Sequence, residues 1–211
     1  MTTRTFELQD LACERGERRL FAGLACALAS HTLLEVRGAN GSGKTSLLRM
    51  LCGLLTPAAG TIRWDGTDIS TLTEIFRAQI AYLGHASGVK DELTAAENLY
   101  FSAKLAAIET DEAGVAAALG WFGLRAYDSQ ACRTLSQGQR RRVALARLRL
   151  SAARPLWILD EPFTALDTHA VDLTRSLIES HVANGGIVVL TTHQDVAIKA
   201  PSVQRIELTH A

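Results

Sequence analysis

The sequence has no net charge, because its 22 Lys and Arg residues are balanced by 22 Asp and Glu residues. A neutral chain sets up no global field that would draw it to nucleic acid or to an anionic bilayer. We therefore predict that the protein does not bind nucleic acid. The four cysteines are scattered and include no CxxC pair, which argues against a zinc site and a disulfide framework. We expect them to be reduced residues of the hydrophobic core.

The sequence also lacks a long hydrophobic run. Its longest apolar stretch, residues 20–36, is interrupted by glycine and polar residues and falls short of the roughly 20 residues that span a bilayer. No apolar segment typical of a secretory signal follows the first residues. We therefore expect a protein that works outside the lipid. A length of 211 residues with 47% hydrophobic content predicts one compact domain over residues 1–211.

Short apolar segments with strand character recur between helical segments, which predicts an α/β fold whose core sheet is parallel or mixed. These segments are residues 33–36, 80–83, 156–159 and 187–190. Residues 6–12, 20–28 and 61–64 predict an antiparallel β layer beside that sheet. Residues from about 90 to about 150 have a helical pattern and predict a helical subdomain inserted into the core.

The segment Gly-Ala-Asn-Gly-Ser-Gly-Lys-Thr at residues 38–45 matches the phosphate-binding pattern G-x-x-x-x-G-K-[ST] at every fixed position. It lies between a predicted strand and a predicted helix, the context that this pattern requires. A glycine-rich turn before a helix is the alternative. Lys44 would reach the β- and γ-phosphates, and Thr45 would bind Mg²⁺. The predicted nucleotide-binding residues are Gly38, Ala39, Asn40, Gly41, Ser42, Gly43, Lys44, Thr45 and Ser46.

A hydrophobic strand that ends in Asp160 and Glu161 predicts the second half of a nucleotide site. Asp160 would help to hold Mg²⁺, and Glu161 would polarise the attacking water as a general base. A solvated turn is the alternative for two adjacent carboxylates. His193 follows the next strand, where α/β sheets place their ligand sites, and we expect a γ-phosphate contact rather than a structural role. The predicted catalytic residues are Lys44, Glu161 and His193.

Residues 135–139, Leu-Ser-Gln-Gly-Gln, precede a helical segment and lie between the phosphate-binding segment and the acidic strand. In that position they resemble the signature sequence of the ATP-binding cassette (ABC) family, with a simple helix N-cap at Ser136 as the alternative. The resemblance implies an ABC-type P-loop fold and a homodimer that sandwiches ATP. The signature of one subunit would cap the γ-phosphate held by the other. The implied signature residues are Ser136, Gln137, Gly138 and Gln139.

Three further positions are interpreted through that resemblance. Asp167 looks like the D-loop residue after the acidic strand, and His85 stands where the family usually has its Q-loop glutamine, so both are implied to couple nucleotide state to mechanical work. A surface histidine without a role is the alternative for His85. Residues 13–19 contain no aromatic side chain, although the family places one there against adenine. Arg15 or Arg18 would then cover the base, and ATP and GTP would be weakly distinguished.

Within this family, residues 82–90, 156–166 and 186–194 are similar to the ATPase subunits of bacterial cytochrome c maturation systems. That likeness implies a peripheral subunit at the cytoplasmic face of the inner membrane that works with integral membrane subunits. ATP hydrolysis would power haem export or the release of a haem-carrying chaperone. No direct haem site is predicted in this chain, because it has no CxxCH and its six histidines are scattered.

Three other functions stay open on the residues alone. The ATPase could serve another importer or exporter of the same family, since the membrane subunits choose the substrate. A soluble ABC ATPase acting on ribosomes or DNA is the second. Three consecutive arginines, residues 140–142, could suggest binding to nucleic acid, but we interpret them as a solvated face or as neighbours of the dimer and the phosphates. A regulatory protein without ATPase activity is the third, and the intact Lys44, Glu161 and His193 argue against it.

Overall fold

The structure is a computed structural model that describes residues 3–209. The strands in this part of the chain are β1 (Thr5–Arg15), β2 (Arg18–Ala29), β3 (Thr32–Gly38), β4 (Ala59–Trp64), β5 (Thr67–Asp68), β6 (Ile80–Leu83), β7 (Leu156–Asp160), β8 (Ile187–Thr191) and β9 (Ser202–Leu208). The α-helices are α1 (Lys44–Leu51), α2 (Thr73–Arg77), α3 (Ala95–Leu105), α4 (Glu112–Trp121), α5 (Gln137–Leu150) and α6 (Thr168–Ala183).

Five strands form a parallel sheet in the order β6-β7-β8-β3-β9. Its first four members are the strands that the sequence predicts for the core sheet. The edge strand β9 has no counterpart among the predicted strands, because its apolar residues Val203, Ile206 and Leu208 do not alternate regularly. Pairing with β3, which is distant in sequence, places β9 in the sheet, and a local pattern does not reveal such a contact.

Four strands form a second, antiparallel sheet in the order β2-β1-β4-β5. The β4–β5 hairpin turns at Asp65 and Gly66, whose φ angles of 49° and 78° fit a type I′ turn. Arg4 Nη1 donates to Asp65 Oδ2 at 2.6 Å, which ties the start of the described chain to this turn. The predicted antiparallel layer is confirmed.

Alternate side chains of the parallel sheet pack into two separate cores. On β8, Ile187 and Val189 belong to the core shared with α1 and the antiparallel sheet, whereas Val188 and Leu190 belong to the core shared with helices α3 to α6. Because side chains alternate along a strand, a strand that is buried on both faces appears in the sequence as a continuous apolar run. The predicted architecture of a parallel core sheet beside an antiparallel layer is confirmed.

The chain between β6 and β7 is helical, in agreement with the sequence pattern. Helix α3 begins with a capping box, in which Thr94 Oγ1 accepts from Glu97 N at 3.1 Å and Glu97 Oε2 accepts from Thr94 N at 2.8 Å. Helices α3 and α4 pack against α5, which leads back to the sheet. Within residues 3–209, none of the helices combines the length and the apolar character needed to cross a bilayer.

The four cysteines are free thiols. Cys13, Cys52 and Cys132 are buried, and Cys26 is partly buried. Burial raises the pKa of the Cys26 thiol to about 11, because the thiolate would lose its hydration. Neutral thiols of this kind pack as small hydrophobic side chains. The expectation that the cysteines lie in the core is met by the three buried ones, and Cys26 lies at its margin.

His181 on α6 is buried against β7. Its imidazole stacks on the Trp157 indole, with ring centroids 3.8 Å apart and ring planes 6° from parallel. Burial lowers the pKa of His181 to about 4, because the imidazolium would lose its hydration, although a hydrogen bond to the backbone of Pro155 opposes this shift. His181 is therefore neutral in the folded protein at neutral pH.

We expect the free energy of unfolding to fall as the pH drops from 6.5 to about 4. In this window the unfolded chain binds a proton at His181 and the folded chain does not, so acid favours unfolding by up to about 3 kcal/mol. His181→Phe keeps a ring against Trp157 but does not titrate, so it should flatten this part of the profile. Urea unfolding across the window measures the slope. His169→Phe, exposed on the same helix, is the control, and an unchanged slope in His181→Phe would contradict the assignment.

Candidate functional site

The phosphate-binding segment forms a glycine-rich loop between β3 and α1. Gly38, Gly41 and Gly43 have φ angles of 141°, 81° and 100°, in the region of backbone conformation that favours glycine. The chain turns through these residues and enters α1 directly after Gly43. The loop therefore ends at a helix N-terminus, where unpaired N–H groups and the helix dipole attract anions.

The ammonium group of Lys44 lies against the backbone of this loop. Its Nζ donates to the carbonyl oxygens of Gly38 at 2.6 Å and Ala39 at 3.1 Å. Ser42 Oγ is buried and has no hydrogen-bond partner among the residues that the structure describes. The loop thus carries a fixed cation and an unpartnered hydroxyl, both of which are suited to phosphate oxygens.

Asp160 joins the loop helix to the sheet. Thr45 Oγ1 on α1 donates to Asp160 Oδ2 at 3.0 Å, and Thr191 Oγ1 on β8 donates to Oδ1 at 2.8 Å. Asp160 is 2% exposed and ends β7. A carboxylate buried this deeply is costly unless hydrogen bonds or a cation compensate it. Thr45 and Asp160 therefore bring together two oxygen ligands of the kind that Mg²⁺ prefers.

Glu161 follows Asp160 in an unusual backbone conformation. Its φ angle of 51° lies in the left-handed region, which costs a residue other than glycine roughly 1–2 kcal/mol. The Glu161 N–H donates to Thr191 Oγ1 at 3.0 Å, and the Glu161 carbonyl accepts from Arg141 Nη2 at 2.6 Å. Its Oε2 accepts from His193 N at 3.2 Å, and its Oε1 lies 3.5 Å from His193 Nε2. The acidic pair and the histidine are therefore neighbours.

Lys44, Asp160 and Glu161 line one cleft of about 680 Å³ at the C-terminal edge of the parallel sheet, a volume within the range of small-molecule sites. The predicted site residues that line it are Asn40, Gly41, Gly43, Lys44, Thr45, Ser46, His85, Asp160, Glu161 and His193. Arg15 and Arg18, predicted to cover the base, line the same cleft. Gly38, Ala39 and Ser42 belong to the loop but are not among the lining residues.

The signature residues do not line this cleft and lie at the N-terminus of α5. Ser136 is the N-cap: its Oγ accepts from Gln139 N at 3.2 Å, and Gln139 Oε1 accepts from Ser136 N at 2.8 Å. A Cβ at Gly138 would lie 2.9 Å from Ala165 O, so glycine allows α5 to approach the loop after β7. Ser136 and Gln137 are exposed. The N-cap geometry is thus present, and it leaves this helix N-terminus accessible to solvent.

Asp167 and His85, the two residues implied to couple nucleotide state to work, lie at the ends of different elements. Asp167 is the exposed N-cap of α6, and its Oδ1 accepts from Ala170 N at 2.7 Å. His85 follows β6, is exposed and lines the cleft. The structure therefore brings His85 to the edge that carries the acidic pair, while Asp167 lies beyond the loop that Gly138 contacts.

The three consecutive arginines at the start of α5 do not form a solvated face, so that interpretation is wrong. Arg141 is 6% exposed and donates to backbone carbonyls at the ends of β6 and β7. Arg142 Nη1 donates to Phe122 O at 3.2 Å, and Arg140 Nη1 pairs with Asp91 at 3.1 Å. Sequence reasoning missed these contacts because most of the acceptors are backbone atoms far away along the chain.

Comparison with known proteins identifies the family. Residues 21–164 match the family described as ABC transporter. The chain is 53% identical to the "Cytochrome c biogenesis ATP-binding export protein CcmA" of Nitrosospira multiformis, over 97% of this chain and 99% of the relative. It is 54% identical to the protein of the same name from Dechloromonas aromatica, over 96% of this chain and 98% of the relative.

Solved structures share the fold. A structure described as the ATP-binding subunit of an ABC transporter has a TM-score of 0.79 at 26% identity and covers 89% of this chain and 79% of its own. An ATP-binding cassette described as a dimer in a post-hydrolysis state with ADP and Pi has a TM-score of 0.78 at 23% identity, over 90% of this chain and 88% of its own. The expected ABC-type P-loop fold is confirmed. The chain belongs to the ABC transporter family of ATP-binding subunits and, within it, to the cytochrome c biogenesis ATP-binding export proteins.

Proposed function

We propose that this chain is the ATP-hydrolysing subunit of an ABC membrane complex that serves cytochrome c biogenesis. The observation that carries the proposal is the pair of hydrogen bonds by which Asp160 joins Thr45 of the loop helix to Thr191 of β8. These bonds bring a phosphate-binding loop and two carboxylates to one cleft, the arrangement that nucleotide hydrolysis requires. Two relatives that align with this chain over nearly their whole length, at 53% and 54% identity, are both named for cytochrome c biogenesis, which favours that process over other transport systems.

ATP would bind with its phosphates on the glycine-rich loop. Lys44 supplies the cation for the β- and γ-phosphates, and the N–H groups at the start of α1 supply donors. The residues present fit Mg²⁺, because the Thr45 hydroxyl is hydrogen-bonded to the Asp160 carboxylate, and that carboxylate is buried and therefore favours a nearby cation. Bound there, Mg²⁺ would supply positive charge against the phosphate oxygens.

The nucleotide base would lie at the end of the cleft lined by Arg15 and Arg18. A planar guanidinium can stack on a base, whereas none of the described residues lining the cleft is Phe, Tyr or Trp. A stacked guanidinium contacts the face of the nucleotide base and not the hydrogen-bonding edge that distinguishes adenine from guanine. We therefore infer weak discrimination between ATP and GTP.

Glu161 is the proposed general base. The His193 N–H holds one carboxylate oxygen, which leaves Oε1 to accept a proton from the attacking water. The His193 imidazole, close to Oε1, would orient the γ-phosphate and that water. As the water oxygen bonds to the γ-phosphorus, the bond from that phosphorus to the β–γ bridging oxygen breaks and ADP leaves with the bonding electrons. The proton of the water passes to Glu161, and the negative charge that develops on the phosphate oxygens faces Lys44.

A second copy of the chain would complete each site. The signature helix N-terminus is exposed and does not line the cleft of its own chain, so it is available to a phosphate held by another subunit. We infer a homodimer in which the signature of one subunit caps the γ-phosphate bound by Lys44 of the other. The capping residues would be Ser136, Gln137, Gly138 and Gln139. The helices between β6 and β7, in residues from about 90 to about 150, would form the subdomain that positions the signature residues at the partner's γ-phosphate.

The work would be transmitted to integral membrane subunits at the cytoplasmic face of the bacterial inner membrane. His85 connects the cleft to the protein surface, and Asp167 ends the loop against which the signature helix packs, so both are proposed coupling residues. The chain would act as one ATPase domain held peripherally by those subunits. ATP hydrolysis would power haem export or the release of a haem-carrying chaperone, with haem bound by the partners.

Glu161→Gln keeps the shape of the base and removes its ability to accept a proton. We expect ATP turnover to fall by roughly 10²–10⁴-fold while ATP binding persists, and the variant to accumulate as an ATP-bound dimer. Phosphate release and light scattering with Mg-ATP measure the two effects. Glu112→Gln, exposed in the first turn of α4, is the control. Turnover at the wild-type rate in Glu161→Gln would refute the assignment.

Mixed dimers test whether the sites are shared between subunits. Ser136→Arg places a bulky cation at the capping helix, and Lys44→Ala removes the phosphate-binding cation, so each variant alone should be inactive. A mixed dimer has one site with both lesions and one site with neither. We expect mixing to restore part of the ATPase activity, measured after subunit exchange. A mixture as inactive as its components would exclude shared sites.

The cellular role is tested in a bacterium that makes c-type cytochromes. The tagged chain, purified from detergent-solubilised membranes, should bring integral membrane subunits and haem with it. Lys44→Ala should co-purify the same subunits yet fail to restore cytochrome c formation, because assembly does not need hydrolysis. Lys199→Ala, an exposed control, should restore it. Co-purification with an unrelated transporter and normal cytochrome c without the chain would contradict the proposal.

A further inference from the structure

Arg141 is a buried cation that forms no ion pair within residues 3–209. Its Nη2 donates to Glu161 O at 2.6 Å and to Asp160 O at 3.0 Å. Its Nη1 donates to Gly84 O at 3.3 Å and, more weakly, to His85 O at 3.5 Å. One side chain therefore joins the loops that follow β6 and β7. The planar guanidinium suits this task, because it presents several N–H groups in fixed directions.

Holding two loops together with a buried charge carries a desolvation penalty. Desolvation lowers the pKa of Arg141, while the nearby carboxylates of Asp160 and Glu161 oppose the shift. The Arg141 Nε is also buried without a hydrogen-bond partner in the described part of the chain. An apolar side chain of similar size would often stabilise such a region as well. The charge and the fork of donors therefore point to a task that packing alone does not perform.

The Glu161 backbone needs such support. A left-handed φ of 51° is strained for glutamate, and strain of this kind persists only where the surroundings determine it. Thr191 Oγ1 accepts from the N–H of Glu161, and Arg141 donates to its carbonyl oxygen, so both flanking peptide groups are fixed. Rotation to a right-handed conformation would break these bonds and carry the carboxylate away from His193.

We propose that Arg141 is a positioning residue that holds the Glu161 carboxylate toward the attacking water and links its backbone to the segment carrying His85. The inference rests on the proposed ATPase function and adds to it a residue that does not line the nucleotide cleft. Arg141 lies in the second turn of α5, the helix that begins at the signature Ser136. Helix α5 thus carries both the signature residues that would cap the partner's γ-phosphate and the arginine that supports Glu161 in its own subunit.

A double-mutant cycle on the purified full-length chain tests the first half of the proposal. Arg141→Met removes the donors at similar volume, and we expect it to lower kcat by roughly 10–10²-fold through misplacement of the base, with the Kd for Mg-ATP nearly unchanged. In the Glu161→Gln background the same change should cost less than about 3-fold, because no base remains to be positioned. Arg142→Met, next to it on α5 and bonded to Phe122 O, is the matched control and should keep the wild-type kcat.

Amide hydrogen exchange tests the link to the His85 segment. In Arg141→Met, exchange in peptides covering residues 84–88 should rise several-fold, and Arg142→Met should leave it unchanged. Arg141→Lys keeps the charge without the fork of donors and should lie between wild type and Arg141→Met in both measurements. If Arg141→Met does not fold, Arg141→Lys still carries both tests, with a smaller loss of kcat that also vanishes in the Glu161→Gln background.

Wild-type kcat in Arg141→Met, or an equal loss of kcat in both backgrounds, would overturn the positioning role. Unchanged exchange at residues 84–88 would overturn the link to His85. A failure of the proposed function looks different, because then the wild-type chain would not hydrolyse ATP or Glu161→Gln would hydrolyse it normally, whatever Arg141→Met does.

Discussion

The site depends on one buried carboxylate. Asp160 accepts hydrogen bonds from Thr45 and Thr191, so a single side chain fixes the start of α1 and the end of β8 relative to β7. Asp160 is only 2% exposed, so little water reaches it to replace these bonds. An aspartate buried to this degree without them would carry a large desolvation penalty. The requirement to satisfy Asp160 therefore determines how the phosphate loop meets the sheet, and the positions of Lys44 and Glu161 follow from it.

The parallel sheet explains why the remaining groups gather at the same place. Strands β6, β7 and β8 run in one direction, so the residues that follow them meet at one edge. His85, Glu161 and His193 each follow one of these strands by no more than a few residues. Core packing on both faces holds the strands rigidly, because their side chains alternate between two cores. Rigid strand ends can in turn sustain the left-handed backbone of Glu161, which a mobile loop would relax.

The fold and most residues of the cleft could be predicted from the sequence, because local patterns determine them. The phosphate loop needs glycines at positive φ and a following helix, and the buried strands appear as apolar runs; both are visible in the sequence. The strand β9 and the roles of Arg141 and Thr191 are not visible in this way. Each depends on contacts between segments far apart in sequence. The partners of Arg141 are backbone carbonyls, and those of Thr191 are the Glu161 N–H and the Asp160 carboxylate. A run of three arginines is an ambiguous pattern, since only the fold reveals which one points inward.

The placement of α5 has a consequence for how two copies would act together. Helix α5 has a full capping box at Ser136 and a buried face against the core, and both features oppose fraying of the helix. Its exposed end is suited to the phosphate of a partner, and its second turn holds the backbone of Glu161 through Arg141. Under the proposed function, the same helix would contact the partner's phosphate at one end and support Glu161 through its second turn. In the proposed dimer, closing of the two subunits would therefore act on the same helix that supports Glu161 within each subunit.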